Sequence, residues 1–269
     1  MTEKNDRRTL LKQRAKRRFG QHFLISDRVI LSTIQAAQLS AGDRVVEIGP
    51  GLGALTMHLI DAPVELMCVE LDRDLVGLWR EADPTLNIVH QDALSLNWSV
   101  LLKGSGWKCV SNLPYNVGTP ILSRLLVADE VDLLVVMLQK EVVDRLVALP
   151  ADRKRGSLSC WAQNFAEVEL VCRVPPGAFS PPPKVASAVV KLSKKVNPKI
   201  SNLESERFEA FLRCLFAQPR KKSRNNLRKV LFQHTPEENL LHKRPFQLEQ
   251  EEVVELYCCL SPDWSVGLK

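Results

Sequence analysis

Four short apolar runs alternate with segments of helical or turn composition through the first half of the chain, and that alternation sets the expected fold. Arg44–Ile48, Glu65–Glu70, Leu86–Ala93 and Lys108–Ser111 are too short for buried helices and are flanked by turn-forming residues, so each reads as a strand. Ala54–Ile60 follows the first with helical composition, and Leu71–Asp74 opens a helix after the second. Strands that alternate with helices predict an open α/β sheet. A polar stretch, Ser193–Lys199, interrupts the pattern before the helix-like run Glu204–Phe216. The expected organisation is a basic arm over residues 1–18, an α/β domain over 19–195 and a small helical domain over 200–269. The length fits this division, since 269 residues suffice for one sheet domain of about 190 residues and a small appendage.

Candidate chemistry gathers where these strands end. The first leads into Gly49-Pro50-Gly51-Leu52-Gly53, a turn whose glycines let the main chain approach a ligand and leave the first N–H groups of the next helix pointing outwards. The spacing is not the G-x-G-x-x-G of a dinucleotide site, and a tight turn without a ligand is the plainer alternative. The second strand ends on Glu70, suited to both hydroxyls of a ribose, whereas Asp72 and Asp74 are explained by the dipole of the helix they open. The third is expected to end at Asp92, whose carboxylate suits an adenine amine. After the fourth comes Asn112-Leu113-Pro114-Tyr115. An Asn amide oxygen and a neighbouring main-chain carbonyl can each accept one N–H of an exocyclic amine, the proline keeps the backbone extended, and the tyrosine offers a ring for stacking. That set suits a flipped adenine, although Asn-x-Pro-aromatic alone also describes an ordinary turn. Ligands of open α/β sheets bind outside the carboxyl ends of the strands, so Gly49, Gly51, Glu70, Asp92 and Asn112 are expected to share one site.

Charge adds a polyanionic partner to this picture. The chain carries a net charge of +6, with eight Lys or Arg in residues 1–18 and further clusters at Arg153-Lys154-Arg155 and at Arg220, Lys221, Lys222 and Arg224. Any one such cluster can be a solvated face, but three of them beside a base-gripping motif favour RNA. Glu3 and Asp6 interrupt the basic N-terminus, which argues against a transit peptide. Seven cysteines without a C-x-x-C, together with histidines 58, 90, 234 and 242 at no ligand spacing, predict no metal site and a reducing compartment. Without an apolar run of spanning length or a signal-peptide pattern, the expectation is a cytoplasmic monomer with no membrane partner.

Val46–Thr56 (VEIGPGLGALT), Val69–Asp72 (VELD), Gln91–Ala93 (QDA), Asn112–Asn116 (NLPYN) and Phe179–Val185 (FSPPPKV) together resemble the bacterial small-subunit (16S) ribosomal RNA adenine N6,N6-dimethyltransferases, the kasugamycin-resistance family. Arg18–Leu24, Leu138–Val143 and Gly156–Ser159 support the likeness, which runs over about residues 17–192 and thins beyond them. Phe216–Leu227 is similar to the family's basic helix in the C-terminal domain. The resemblance implies a Rossmann-like S-adenosylmethionine-dependent methyltransferase sheet with a small C-terminal helical domain. It implies that Gly49, Gly51, Glu70 and Asp92 contact S-adenosyl-L-methionine, with His22 and Leu24 closing over it and Asn112 facing both cofactor and base. By the same likeness Asn112 and the Leu113 carbonyl hold N6, Pro114 shapes the turn, and Tyr115 and Phe179 take the two faces of the adenine. The implied substrate is a pair of adjacent adenosines near the 3′ end of the small-subunit RNA in an assembling 30S particle. His22 departs from the asparagine the family often carries. The related erythromycin-resistance enzymes of the large subunit match the NLPYN and FSPPPKV forms less well. A non-catalytic RNA-binding assembly factor should have lost part of this set, and none of it is missing here.

Overall fold

A computed structural model describes residues 22–264, which form two compact units. The first comprises residues 22–143 and 169–193, the second residues 144–168 and 194–264. The basic arm expected over residues 1–18 lies outside the described residues. No helix among those described is long and apolar enough to cross a membrane.

The first unit is built on a seven-stranded sheet. Its strands are β2 (Arg44–Ile48), β3 (Glu65–Glu70), β4 (Asn87–His90), β5 (Trp107–Asn112), β6 (Val131–Gln139), β7 (Ala166–Val174) and β9 (Ser187–Lys194), in the order β4-β3-β2-β5-β6-β9-β7. Pairings β4/β3, β3/β2, β2/β5 and β5/β6 are parallel, and β6/β9 is antiparallel. Parallel strands buried on both faces read as continuous apolar runs, as Leu133–Leu138 do. The Arg73–Ala82 helix buries Leu75, Val76 and Trp79, and Asp72 caps it by accepting the Asp74 N–H at 2.9 Å. Met57, Cys68, Val76, Trp79 and Ile88 form one hydrophobic cluster. Val29, Ile30, Val45, Leu55, Val110, Val135 and Phe179 belong to another.

Strand order reverses between β2 and β5, which makes that seam the topological switch point of the sheet. The two strands pair only at Arg44↔Trp107, Val45↔Lys108 and Val46↔Cys109. Beyond Val46 the Ile48 N–H donates instead to the Ser111 hydroxyl, at 2.8 Å. The strands therefore part before they end. A short second sheet pairs β1 (Phe23–Leu24) antiparallel with β8 (Phe179–Ser180), Phe23 opposite Ser180 and Leu24 opposite Phe179.

The second unit is largely helical. Ser157–Phe165, Ser205–Leu215 and Gln250–Cys258 are its longer helices, and Ser223–Asn226 and Glu238–His242 are single turns or little more. Phe208 and Phe211 meet Tyr257 edge to face at centroid distances of 5.1 and 5.7 Å, and Trp264 lies 6.5 Å from Phe211. The division by contacts falls after Ser193, and residues 144–168 group with the C-terminal segment. The reason is packing: Cys160, Trp161, Ala162 and Phe165 are all buried, and an apolar helix does not announce in its own sequence which surface it will cover.

Ser111 is fully buried, so replacing it with Ala leaves the Ile48 N–H without a partner at the seam. The expected cost is about 1–3 kcal/mol, read as a lower midpoint with an unchanged slope in urea denaturation.

Candidate active site

The ends of β2 and β5 frame a cavity of about 450 Å³ in the first unit. On one side the chain leaves β2 through the glycine turn. Gly51 and Gly53 adopt φ of +54° and +83°, a region costly for residues with a Cβ. At Gly53 a Cβ would also lie 2.9 Å from the Trp79 ring, and the Trp79 indole N–H donates to the Gly51 carbonyl at 2.9 Å. Trp79 thus fixes the turn from below, while Gly49, Gly51 and Gly53 line the cavity.

Two carboxyls stand at this wall. Glu70 ends β3, is 7% exposed, and accepts the Asp72 N–H at 2.8 Å. Burial raises its pKa, opposed by main-chain N–H groups of Asp72, Leu71 and Gly51. Glu47, in β2, is 2% exposed and also lines the cavity. Burial pushes its carboxyl up to about 8; the Thr56 hydroxyl works against the shift and the neighbouring Glu70 charge adds to it. In the sequence Glu47 reads only as part of an apolar strand. A lone acid inside Val-Val-Glu-Ile is the signal that could have found it, because a buried carboxyl without a role is expensive.

On the opposite side Asn112 ends β5 half-buried, and Leu113, Pro114, Tyr115 and Asn116 continue the wall. The Leu113 N–H donates to the Met137 carbonyl at 3.2 Å, and that anchors the turn to β6. Tyr115 lies against His22 with ring centroids 6.3 Å apart and 28° between planes. His22 Nδ1–H donates to the Pro181 carbonyl at 2.8 Å, and the Ile25 N–H donates to the Ala178 carbonyl at the same distance. The β1/β8 ladder thereby clips His22 and Leu24 to the segment carrying Phe179, and all three line the cavity.

Asp92 is the strand-end residue that does not join them. The strand stops at His90, and Asp92 lies in the exposed turn beyond, where its Oδ1 accepts the Leu94 N–H at 2.9 Å. It is not among the residues lining the cavity.

The two basic clusters among the described residues belong to the second unit. Arg153 and Lys154 are exposed, with Lys154 paired to Asp144 at 2.8 Å. Arg155 must be withdrawn as a phosphate ligand, because it is 2% exposed and its guanidinium donates to Ala148 O at 3.2 Å, Gln163 Oε1 at 2.7 Å and Gln250 Oε1 at 3.1 Å. It is a structural cation, bonded to neutral oxygens inside its unit. The expected basic helix is also shorter than its motif: Arg220 and Lys221 stand exposed in the loop after Pro219, Lys222 immediately precedes the Ser223–Asn226 turn, and Arg224 pairs with Glu238. No group of three His, Cys, Asp or Glu side chains among the described residues is arranged to hold a metal.

A largely parallel sheet with β9 antiparallel to β6, a glycine turn at the switch point and an acid on the neighbouring strand end is a Rossmann-like α/β fold, of the kind that takes a nucleotide-bearing ligand at its strand ends. The chain belongs to the ribosomal RNA adenine dimethylase family, whose model matches residues 12–257. It is accordingly a ribosomal RNA adenine dimethyltransferase. A ribosomal RNA small subunit methyltransferase A from Thiobacillus denitrificans is 44% identical over 215 residues, 79% of this chain and 84% of the relative. The protein of the same name from Xylella fastidiosa Temecula1 is 40% identical over 256 residues, 90% of this chain and 94% of its own. Among solved structures, a dimethyladenosine transferase from Plasmodium falciparum shares the fold with a TM-score of 0.74 at 22% identity, covering 87% of this chain and 96% of its own. The 23S rRNA methyltransferase ErmE follows with 0.69, also at 22% identity, over 88% of this chain and 99% of its own.

The Glu47 carboxyl has a signature in solution. Its pKa moves from the ordinary 4.5 to about 8 on folding, so between those values the unfolded chain has released a proton that the folded chain keeps. Stability falls as pH rises through that window and levels off above it. Thermal melts of Glu47→Gln between pH 5 and 9 should lack this component, a slope of up to about 1.4 kcal/mol per pH unit, and identical pH profiles for variant and parent would refute it.

Proposed function

We propose that this enzyme transfers methyl groups from S-adenosyl-L-methionine to N6 of two adjacent adenosines near the 3′ end of small-subunit ribosomal RNA, yielding N6-dimethyladenosines in the maturing 30S particle. The observation that carries the reading is the cleft itself: the glycine turn and the Asn112–Tyr115 turn face one another across the seam where β2 and β5 part. The small-subunit methyltransferases to which the chain is 40–44% identical support the choice of RNA.

The residues present fit the cofactor. A cavity of about 450 Å³ lies in the range of nucleotide-sized sites. Its wall offers main chain at Gly49 and Gly51 and the buried Glu70 carboxyl, which would take the ribose hydroxyls. Leu24 and His22 would cover the ligand. When bound, the cofactor would supply a methyl activated by a sulfonium, whose sulfur becomes a neutral thioether as the methyl leaves. Asp92 would have to reach the adenine amine from outside the cavity lining with its second oxygen, since Oδ1 already accepts the Leu94 N–H.

Adenine N6 is a weak nucleophile because its lone pair is delocalised into the ring. The Asn112 amide oxygen and the Leu113 carbonyl would draw the amine towards tetrahedral geometry and aim it, with Pro114 holding the turn extended. Tyr115 and Phe179 would take the faces of the flipped base. The proton on N6 becomes acidic only as the new bond forms, so it can leave to water, and positioning supplies most of the acceleration. Arg153, Lys154, Arg220, Lys221, Lys222 and Arg224 remain as candidates for phosphate contacts.

Asn112→Ala should keep its fold but lose about 10²–10³ in turnover at saturating cofactor, the scale for removing one transition-state hydrogen-bond partner. Near-parental turnover would remove the amine-gripping role. Neutralising Arg220, Lys221 and Lys222 together should spare cofactor binding and weaken particle binding. Its log–log salt slope should flatten by about one unit for each phosphate that is no longer neutralised; equal slopes in a salt titration would make the cluster a solvated face.

A further inference from the structure

The Tyr115 hydroxyl and the Ser187 Oγ lie 2.5 Å apart. Ser187 opens β9, is completely buried, and faces Gln139 in the β6/β9 ladder. The residues after it, Ala188, Val189 and Val190, are apolar and buried, so a hydroxyl here carries a desolvation cost unless it is bonded. Tyr115 is half-buried and lines the cavity. The second torsion of an aromatic side chain is broad, so packing alone holds the ring plane loosely. A hydrogen bond at the far end of the ring, made to a residue embedded in the sheet, restrains both torsions.

We propose that Ser187 is a positioning residue for methyl transfer, holding Tyr115 at the angle that aims N6 and acting above all on the second of the two transfers. The inference rests on reading Tyr115 as the stacking platform for the base. An unmodified amine offers two N–H groups to the Asn112 and Leu113 acceptors. After one methyl has been added only one N–H remains, so half of the hydrogen-bonded alignment is gone and the stacked ring must supply the rest. Loosening the ring therefore harms the second transfer more than the first.

The test measures monomethyl and dimethyl product by mass spectrometry in single-turnover reactions on unmethylated small-subunit particles. Ser187→Ala, Tyr115→Phe and their double variant are compared, with cofactor affinity from calorimetry and melting temperature as controls. Each single variant should slow the second transfer by about three- to tenfold, the factor matching the net worth of one hydrogen bond, and let monomethyl product accumulate while cofactor affinity holds. The double variant should be no worse than either single, because all three lack the same bond. Tyr115→Phe carries the test alone if Ser187→Ala fails to fold. Parental product ratios in folded single variants, or additive losses in the double, would overturn the tether. A parental first-transfer rate in Tyr115→Ala would instead overturn the platform reading beneath it, which keeps the two failures apart.

Discussion

At the centre of the sheet, two paired strands stop sharing backbone hydrogen bonds before they end, and the Ser111 hydroxyl takes over where the main chain leaves off. Had β2 and β5 stayed paired to Ile48 and Asn112, the glycine turn and the Asn112 turn would stand about 4.8 Å apart, the spacing of a closed ladder, with no room for a ligand. A simple break would have opened the cleft but stranded a buried N–H. The serine satisfies that donor from the side and lets the seam widen. Each wall is then held from outside the seam, the glycine turn by Trp79 and the Asn112 turn by the bond from Leu113 to Met137.

The floor of this cleft is electrostatically unusual. Glu47 and Glu70 are both buried, and the Glu70 charge adds to the proton affinity that burial gives Glu47. The second sheet supplies the roof. Because β1 and β8 are two edges of one ladder, the segment that would close over the cofactor and the residue that would stack on the base are joined by backbone hydrogen bonds.

Much of this was legible in the chain. β2 and β3 begin and end where the apolar runs do, since a strand buried on both faces needs a continuous apolar stretch and stops when that stretch does. The glycines at Gly51 and Gly53 mark backbone that only glycine takes easily, and such positions are visible as residue type alone. Asn112, Leu113, Pro114 and Tyr115 line the cavity because they follow a strand at the switch point, a consequence of strand order as well as of residue chemistry. Asp92 shows the limit: its strand ends two residues early, and a shift of that size sends the side chain into the turn.

What the chain by itself determined, then, is the set of elements, the turn chemistry at their ends and the kind of ligand those ends suit, because propensity, apolar periodicity and hydrogen-bonding capacity are local properties. Tertiary structure alone decided which side chains are dry and which are wet. Arg155 and Arg153 are the same residue type two positions apart, yet one is sealed among Ala148, Gln163 and Gln250 while the other faces solvent. Ser187 and Tyr115 are 72 positions apart and meet only because β9 returns antiparallel beside β6. Burial and partnership are sums over distant segments, so no local pattern encodes them, and it is burial that turned Glu47 from an ordinary strand acid into part of the cleft.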